Sequence, residues 1–301
     1  MTETIAAIIV TFNRKYLLIQ CLEAVLYQSR IPDQIIVIDN ASTDGTPESL
    51  KESGYLENPM INYVRLTENT GGAGGFYQGM KLGYEAGYDW LWLMDDDGYP
   101  QQDCLEILLQ GRDNFEIIGP SVVIPDNLSR LTWGVRSFNE AGQFKPRGLI
   151  YEYAQLVENS QDGWYEGFAN FFNAVLLKRQ VIDKVGYILP ELFCWGDELE
   201  YFLRCKSLKI QISTSINALY FHPYNAPSIS KFRYYYVLRN VFYNYSKYGK
   251  NMYSDTLRKF YPIYIILKYI RQIPSLSPQY LWILYQGIIN AVQDKLIAFP
   301  K

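Results

Sequence analysis

Cysteine is scarce and scattered in this chain. Cys21, Cys104, Cys194 and Cys205 are its four cysteines, and no two stand in a CxxC spacing. That excludes a zinc ribbon and a disulfide scaffold and fits a reducing cytosol. Long apolar runs are missing too. The best C-terminal stretches, Phe260 to Leu267 and Tyr280 to Val292, are interrupted by Lys268, Gln286 and Asn290, short of the roughly 18 to 20 residues a spanning helix needs. The N-terminal run Ile5 to Val10 is too short for a secretion signal and lacks a basic flank. Repeats and low-complexity segments are absent. Charged residues are few, 20% against 49% apolar, so disorder is excluded for most of the 301 residues. Such a chain buries a large core in one domain or two.

The net charge of −3 hides a division. From Lys231 onward there are 11 basic residues against two acids, Asp255 and Asp294, a balance of +9. Positions 1 to 230 carry 17 basic and 29 acidic residues, a balance of −12. Twelve of the 27 tyrosines also fall in the last stretch. A tail both basic and aromatic suits an anionic partner surface. It fits helices at the headgroup level of a membrane, where Tyr rings tolerate the interface and Lys and Arg meet anionic lipids. It fits equally helices that pack on the preceding domain or form a homo-oligomer contact. A nucleic-acid partner is disfavoured, because the acidic N-terminal part would repel a polyanion.

The N-terminal half alternates β-branched runs with helix-period segments. Ile5 to Val10 and Ile35 to Asp39 read as buried strands, and between them Leu17, Leu18, Cys21, Leu22, Val25 and Leu26 recur at helical spacing. Tyr63 to Leu66 and Trp90 to Met94 read as further strands around a helix from about Gly75 to Gly87. The expected fold class is α/β, a Rossmann-like, mostly parallel sheet with flanking helices, plus a C-terminal helical segment. Residues 1–228 would form the sheet domain and 229–301 a basic, Tyr-rich helical region with breaks near Gly249 and at Pro274 and Pro278. The stretch from Gly134 to Gly167 shows weak periodicity and is expected to be an irregular insertion forming an acceptor-facing wall. Asn173 to Lys178 and Asn217 to Phe221 read as strands, and Glu198 to Ser207 as a helix. Ligands of such sheets bind beyond the carboxyl ends of the strands. There Thr11 to Arg14, Asp39 to Asp44, Glu68 to Gly75 and Asp95 to Asp97 converge.

Four motifs carry chemistry. Asp95, Asp96 and Asp97 close a strand, where three adjacent carboxylates repel one another unless a cation offsets them. Alternation lets Asp95 and Asp97 face the crevice while Asp96 turns aside; oxygen ligands favour Mg²⁺ or Mn²⁺. A solvated acidic turn is the alternative. Asn69-Thr70-Gly71-Gly72-Ala73-Gly74-Gly75-Phe76 permits close backbone approach before a helix, but the GxGxxG spacing fails at Tyr77. Asp197 and Glu198 open a helix whose dipole stabilises them, and one could take a proton from an attacking hydroxyl, or both could simply cap it. Glu200 and Arg204 stand four apart and brace that helix. His222, the only histidine, follows an apolar run at a strand end; an imidazole there is either a ligand beside carboxylates or structural.

Together and in this order these residues resemble a family 2 glycosyltransferase of the GT-A fold. Ala7-Ile8-Ile9-Val10-Thr11-Phe12-Asn13-Arg14, Val37-Ile38-Asp39-Asn40-Ala41-Ser42-Thr43-Asp44-Gly45-Thr46 and Asp95-Asp96-Asp97 resemble its nucleotide-sugar half. The resemblance covers roughly residues 5 to 245. Asn69 to Phe76, the Trp195-Gly196-Asp197-Glu198 segment and His222 are most similar to the bacterial galactofuranosyltransferases that build surface glycans. It implies that Thr11, Phe12, Arg14 and Asp39 surround the uridine, with Asp95 and Asp96 beside the nucleotide-sugar. Asn69, Gly72, Ala73, Gly74 and Gly75 would approach the donor. Asp95, Asp97 and His222 would hold the metal, Mn²⁺ or Mg²⁺, that bridges the UDP diphosphate. Asp197 would contact the sugar and Glu198 would be the general base. The commoner pattern of the family has Asp at the base position, so either the acceptor sits deeper here or Asp197 takes the role. Trp195, displaced by the inserted Gly196, and Trp164 are candidate acceptor platforms, with core packing the alternative for each.

The implied reaction is an inverting transfer of a hexosyl group, with UDP-galactofuranose the leading donor and a surface-glycan hydroxyl the acceptor. The rivals are the same fold with a UDP-hexopyranose or dTDP-rhamnose, and a catalytically silent glycan-binding module. A lipid-linked acceptor at the inner, cytoplasmic face of the cell membrane suits the basic tail.

Overall fold

The computed structural model describes residues 3–224, 230–271 and 278–299. Three helical crossovers build the first half of its sheet. β1 (Ile5–Thr11) passes through α1 (Lys15–Leu26) to β2 (Gln34–Asp39), α2 (Thr46–Glu52) leads to β3 (Ile61–Arg65), and α3 (Gly71–Glu85) returns to β4 (Trp90–Asp95). A helical crossover lets the next strand run the same way, and these strands pair in parallel in the order β3-β2-β1-β4. Helices cover both faces, which is why β1, β2 and β4 read as continuous apolar runs. Alternate residues supply two cores. Ile8, Val10 and Ile38 face Phe76 and Met80 of α3, whereas Ala7, Ile9 and Val37 face Leu18 and Leu22 of α1.

α3 starts at Gly71, four residues before the sequence expectation, and carries glycine at 71, 72, 74, 75, 79 and 83. Glycine has low helix propensity, so packing decides here. A Cβ on Gly75 would stand 2.5 Å from Val10, one on Gly79 2.3 Å from Ile8 and one on Gly83 2.5 Å from Leu91. The bare stripe lets the helix backbone lie directly on the strand side chains.

The second half is mixed rather than parallel. β5 (Tyr99–Pro100), α4 (Cys104–Leu109) and β6 (Ile117–Ile124) are followed by a hairpin of β7 (Asn127–Phe138) and β8 (Phe144–Glu152), then α5 (Tyr153–Glu158), β9 (Trp164–Glu166), β10 (Asn173–Lys178), α6 (Arg179–Val185), α7 (Asp197–Ser207) and β11 (Ile212–Phe221). The sheet continues from β4 through β10, β6 and β11 to β5. β10 is antiparallel to both of its neighbours, and β11 is parallel to β6. No helical crossover precedes β10, so nothing turns the chain to run with β4. The segment from Gly134 to Gly167 is thus not the irregular insertion expected of it: it holds most of the hairpin, α5 and β9. Register shifts between Arg130 and Val135 and between Arg136 and Phe138 break the alternation that would have marked the strands. β11 likewise begins five residues ahead of expectation. Its Ser213 and Thr214 hydroxyls donate to the Tyr165 and Phe168 carbonyls at 3.0 and 2.7 Å, which accommodates polar residues in a buried strand.

Three helices follow: α8 (Lys231–Met252), α9 (Asp255–Ile270) and α10 (Pro278–Val292). Gly249 lies inside α8, Pro278 opens α10, and the expected break at Pro274 falls outside the described residues. α8 packs on α7, and α10 lies along α8, with Gly287 of α10 against the backbone of Tyr235 and Arg239. Among the described residues no helix is long and apolar enough to cross a membrane.

Candidate active site

The carboxyl ends of β1 and β4 open into a cavity of about 770 Å³, closed on its other sides by the start of α3, the loop before α7, the β7 and β10 edges and the first turn of α8. On the strand side, Thr11 Oγ1 donates to Asp96 Oδ2 at 2.6 Å, and Arg14 Nη1 reaches Asp96 Oδ1 at 2.9 Å and Asp97 Oδ2 at 2.7 Å. Asp96 therefore does turn aside, into the protein. Burial drives its pKa up to about 6 against the pull of Arg14 and Thr11. Asp95 is pushed well above the carboxylate range by burial and by the charges of Asp97 and Asp96. For Asp97 the hydrogen bond from His222 and the charge of Arg14 outweigh burial and lower its pKa.

His222 is tied at both ring nitrogens. Nδ1 lies 2.8 Å from the Pro223 carbonyl and Nε2 3.0 Å from Asp97 Oδ1. A carbonyl only accepts, so Nδ1 carries a hydrogen, and Nε2 and Asp97 face each other as two acceptors unless a proton or a cation lies between them. The donor chemistry, carboxylate oxygens with one imidazole, fits a hard or borderline divalent ion. The side chains are nonetheless not gathered around one point. Among the described residues no group of three or more His, Cys, Asp or Glu is arranged to hold a metal, and the Arg14 guanidinium supplies the positive charge on Asp97 instead.

Not every expected residue reaches the cavity. Asn69 and Gly72 line it, as does Gly71, but Ala73, Gly74 and Gly75 do not. These three are buried inside α3, and a Cβ on Gly74 would meet Thr70 at 2.3 Å; their smallness serves helix packing. Asp39 is wholly buried behind the wall. It accepts from the Ser42 amide at 2.8 Å and the Tyr63 hydroxyl at 2.5 Å, a brace for the loop after β2. Phe12, 40% exposed, presents its ring to the cavity. Trp164 is a correction: it packs on Phe115 with ring centroids 5.4 Å apart and against Gly111, because β9 is hydrogen-bonded to β11 away from the site. A tryptophan in a core and one in a platform look alike in sequence. Trp195 does line the cavity, with the Arg233 guanidinium 4.6 Å above its ring.

The opposite wall is the turn into α7. Phe193, Trp195 and Gly196 have φ of 65°, 59° and 104°, a left-handed series that side chains rarely adopt. It brings Asp197 and Glu198 to the cavity. The Gly196 amide donates to Glu198 Oε2 at 3.0 Å, and Asp197 Oδ1 is buried with no hydrogen-bond partner. Burial, then the neighbouring Glu198 charge, holds the Asp197 carboxyl well above its usual range. Glu200 is spent structurally, as its spacing suggested: Arg204 grips it at 3.1 and 2.7 Å and Tyr248 donates to it at 2.8 Å. The Phe193 carbonyl accepts from the Ala73 amide at 3.0 Å, and a Cβ on Gly71 would sit 2.1 Å from that same oxygen.

Comparison with known proteins bears on the family and the fold. The model of "Glycosyl transferase family 2" matches residues 6–183. The chain belongs to glycosyltransferase family 2. It is 33% identical over 230 residues to "Galactofuranosyltransferase GlfT1" of Mycolicibacterium smegmatis, covering 74% of this chain and 72% of that one. The protein of the same name from Mycobacterium tuberculosis H37Rv is 31% identical over 229 residues, covering 74% and 71%. Two solved structures share the fold. GalNAc-T7 with UDP, GalNAc and Mn²⁺ superposes with a TM-score of 0.60 at 14% identity, over 99% of this chain and 59% of that one. S. aureus TarS superposes with a TM-score of 0.53 at 16% identity, over 80% and 39%. Both span well beyond this chain. Their fold is the expected GT-A class, and family 2 membership rests on the family model and the galactofuranosyltransferase relatives.

Sequence reasoning missed several lining residues: Asn40, Trp133, Arg136, Phe193 and Arg233. Asn40 had a signal, since it follows Asp39 within the quoted motif. The two arginines had none, because folding alone brings the hairpin and α8 to the cavity.

Proposed function

We propose that this chain is an inverting hexosyltransferase that moves galactofuranose from UDP-galactofuranose to a hydroxyl of a surface-glycan acceptor. One observation carries the reading: two acidic groups of different kind face a single cavity, Asp95 and Asp97 with His222 at the strand ends and Asp197 with Glu198 at the start of α7. The transfer named for the mycobacterial relatives supports the donor. Thr11, Phe12 and Arg14 lie where a uridine would enter. A Mn²⁺ or Mg²⁺ ion would be held by Asp95, Asp97 and His222 and would stabilise charge on the leaving diphosphate.

An acceptor hydroxyl oxygen bonds to the anomeric carbon while the bond from that carbon to the UDP oxygen breaks, and UDP leaves with the electron pair. Glu198 takes the hydroxyl proton. Back-side attack inverts the centre. Burial, then the Glu198 charge, pushes the Asp197 carboxyl toward its protonated form beside the base. Trp195 offers a face for the acceptor sugar, and Arg136 and Arg233, which form no ion pair among the described residues, suit a phosphate on a lipid-linked acceptor. The exposed Phe260, Ile263, Tyr264 and Leu267 of α9 and Leu281, Trp282 and Tyr285 of α10 support docking at the anionic inner face of a membrane.

Calorimetry with UDP-galactofuranose, UDP-hexopyranoses and dTDP-rhamnose, with and without Mn²⁺, tests the donor. Mn²⁺-dependent binding confined to UDP-galactofuranose is expected, and preference for another nucleotide sugar would move the substrate. Asp97→Ala should abolish metal-dependent UDP binding. Glu198→Gln should keep UDP binding and lose transfer by about 10²-fold or more; near-normal turnover would remove Glu198 from the base role.

A further inference from the structure

The turn that delivers Glu198 is held only in part by its own helix, through the Glu200 amide on the Gly196 carbonyl. Its Phe193 carbonyl takes the Ala73 amide of α3, and the side-chain donors to its other carbonyls come from α8. Asn240 Nδ2 lies 2.9 Å from the Leu192 oxygen, 2.8 Å from that of Cys194 and 3.0 Å from that of Trp195. Asn244 Nδ2 donates to the Gly196 oxygen at 2.7 Å, the same oxygen that accepts the first α7 bond from Glu200 at 3.0 Å. Arg239 Nη2 donates to the Glu191 and Leu192 oxygens, both at 2.8 Å. All three side chains are fully buried. The amide of Asn240 has one sensible orientation, since its Oδ1 accepts from Arg239 Nε at 3.0 Å and its nitrogen faces only carbonyls.

Left-handed residues persist only where their surroundings over-determine them. Here Trp195 and Gly196 are bonded from one helix, with Asn240 and Asn244 one turn apart on a single face, while Phe193 is bonded by the Ala73 amide of α3. Gly196 allows the approach: its Cβ would stand 3.2 Å from that of Asn240. We propose that Asn240, oriented through Arg239, and Asn244 are positioning residues for the transfer step, which fix the Trp195–Glu198 turn and so aim Glu198 at the acceptor hydroxyl. The proposal rests on the reading of Glu198 as base. It makes α8 part of the active site, so that a division at residue 229 does not separate a catalytic domain from an appendage.

The test uses Asn240→Asp, which keeps the shape and removes the donor, Asn244→Ala, and Asn244→Gln, which restores a donor. In the full-length protein the expected result is unchanged UDP affinity and far-ultraviolet circular dichroism, with kcat for transfer lower by on the order of 10²-fold. Hydrolysis of the donor by water, which needs no aimed acceptor, should fall much less. Asn244→Gln should recover part of the loss. Hydrogen exchange should quicken at residues 193 to 198 and not in β1 or β4. Folded variants with wild-type kcat, or equal loss of hydrolysis and transfer, would overturn the proposal, as would global unfolding of both Asn240→Asp and Asn244→Ala, which would assign these residues to stability alone. Glu198→Gln run alongside separates the two claims: if it alone keeps turnover, the base assignment fails whatever the asparagines do.

Discussion

Asp197 carries a stability cost within the cavity proposed as the active site. It is buried, one oxygen has no partner, and burial with the Glu198 charge holds its pKa well above the unfolded value. An acid shifted upward binds its proton more tightly when folded, so both states are protonated below about pH 4 and the folded state loses ground as pH rises from there. Asparagine carries no such penalty. Asp197→Asn should raise the melting temperature without nucleotide, by more at pH 8 than at pH 5, while lowering transfer. A flat or negative increment in paired melts would show that the carboxyl is not strained. Residues at this scale were legible where chemistry is rare: Asp95, Asp97, His222 and Glu198 sit in one cavity, as their order suggested. Asn240 and Asn244 were not, because an amide that holds a distant turn reads like any polar helix residue. Asp39 was half legible, since its motif marks the strand end but not that Ser42 and Tyr63 use up its oxygens.

Among the elements, α3 divides its glycines between two tasks. Gly72 lines the cavity, as a close backbone approach requires, whereas Gly75, with Gly79 and Gly83 further along the helix, faces β1 and β4. Gly79→Ala would place a methyl 2.3 Å from Ile8 and should destabilise by about 1–3 kcal/mol despite the better helix propensity of alanine. Urea unfolding measures this, and a stabilised variant would mean that the helix lifts freely from the sheet. The parallel strands were legible because both faces are covered and their runs are uniformly apolar. The β7 and β8 hairpin was not, since its bulges offset the period that would have revealed it.

For the whole molecule, the charge division becomes a surface. Phe260, Ile263, Tyr264 and Leu267 repeat at i, i+3, i+4 and i+7 on the outer side of α9, with Lys259 and Lys268 at hand. Each basic residue near an anionic surface contributes about 1 kcal/mol, screened by salt. Sedimentation with vesicles containing anionic lipid should show binding that weakens as salt rises, and Phe260→Ser with Trp282→Ser should reduce it several-fold with turnover of a soluble acceptor unchanged. Equal binding to neutral vesicles, or none, would rule out this surface. The two walls of the cavity meet elsewhere, at the Phe193 carbonyl wedged against Gly71 and the Ala73 amide. That contact is backbone on backbone, so the gap between the strand-end wall and the α7 wall is set like the jaw of a fixed-width gauge. Changing the side chains that line the jaw should alter which ligand it grips, while its opening stays the same as long as residue 71 has no side chain to pry it apart.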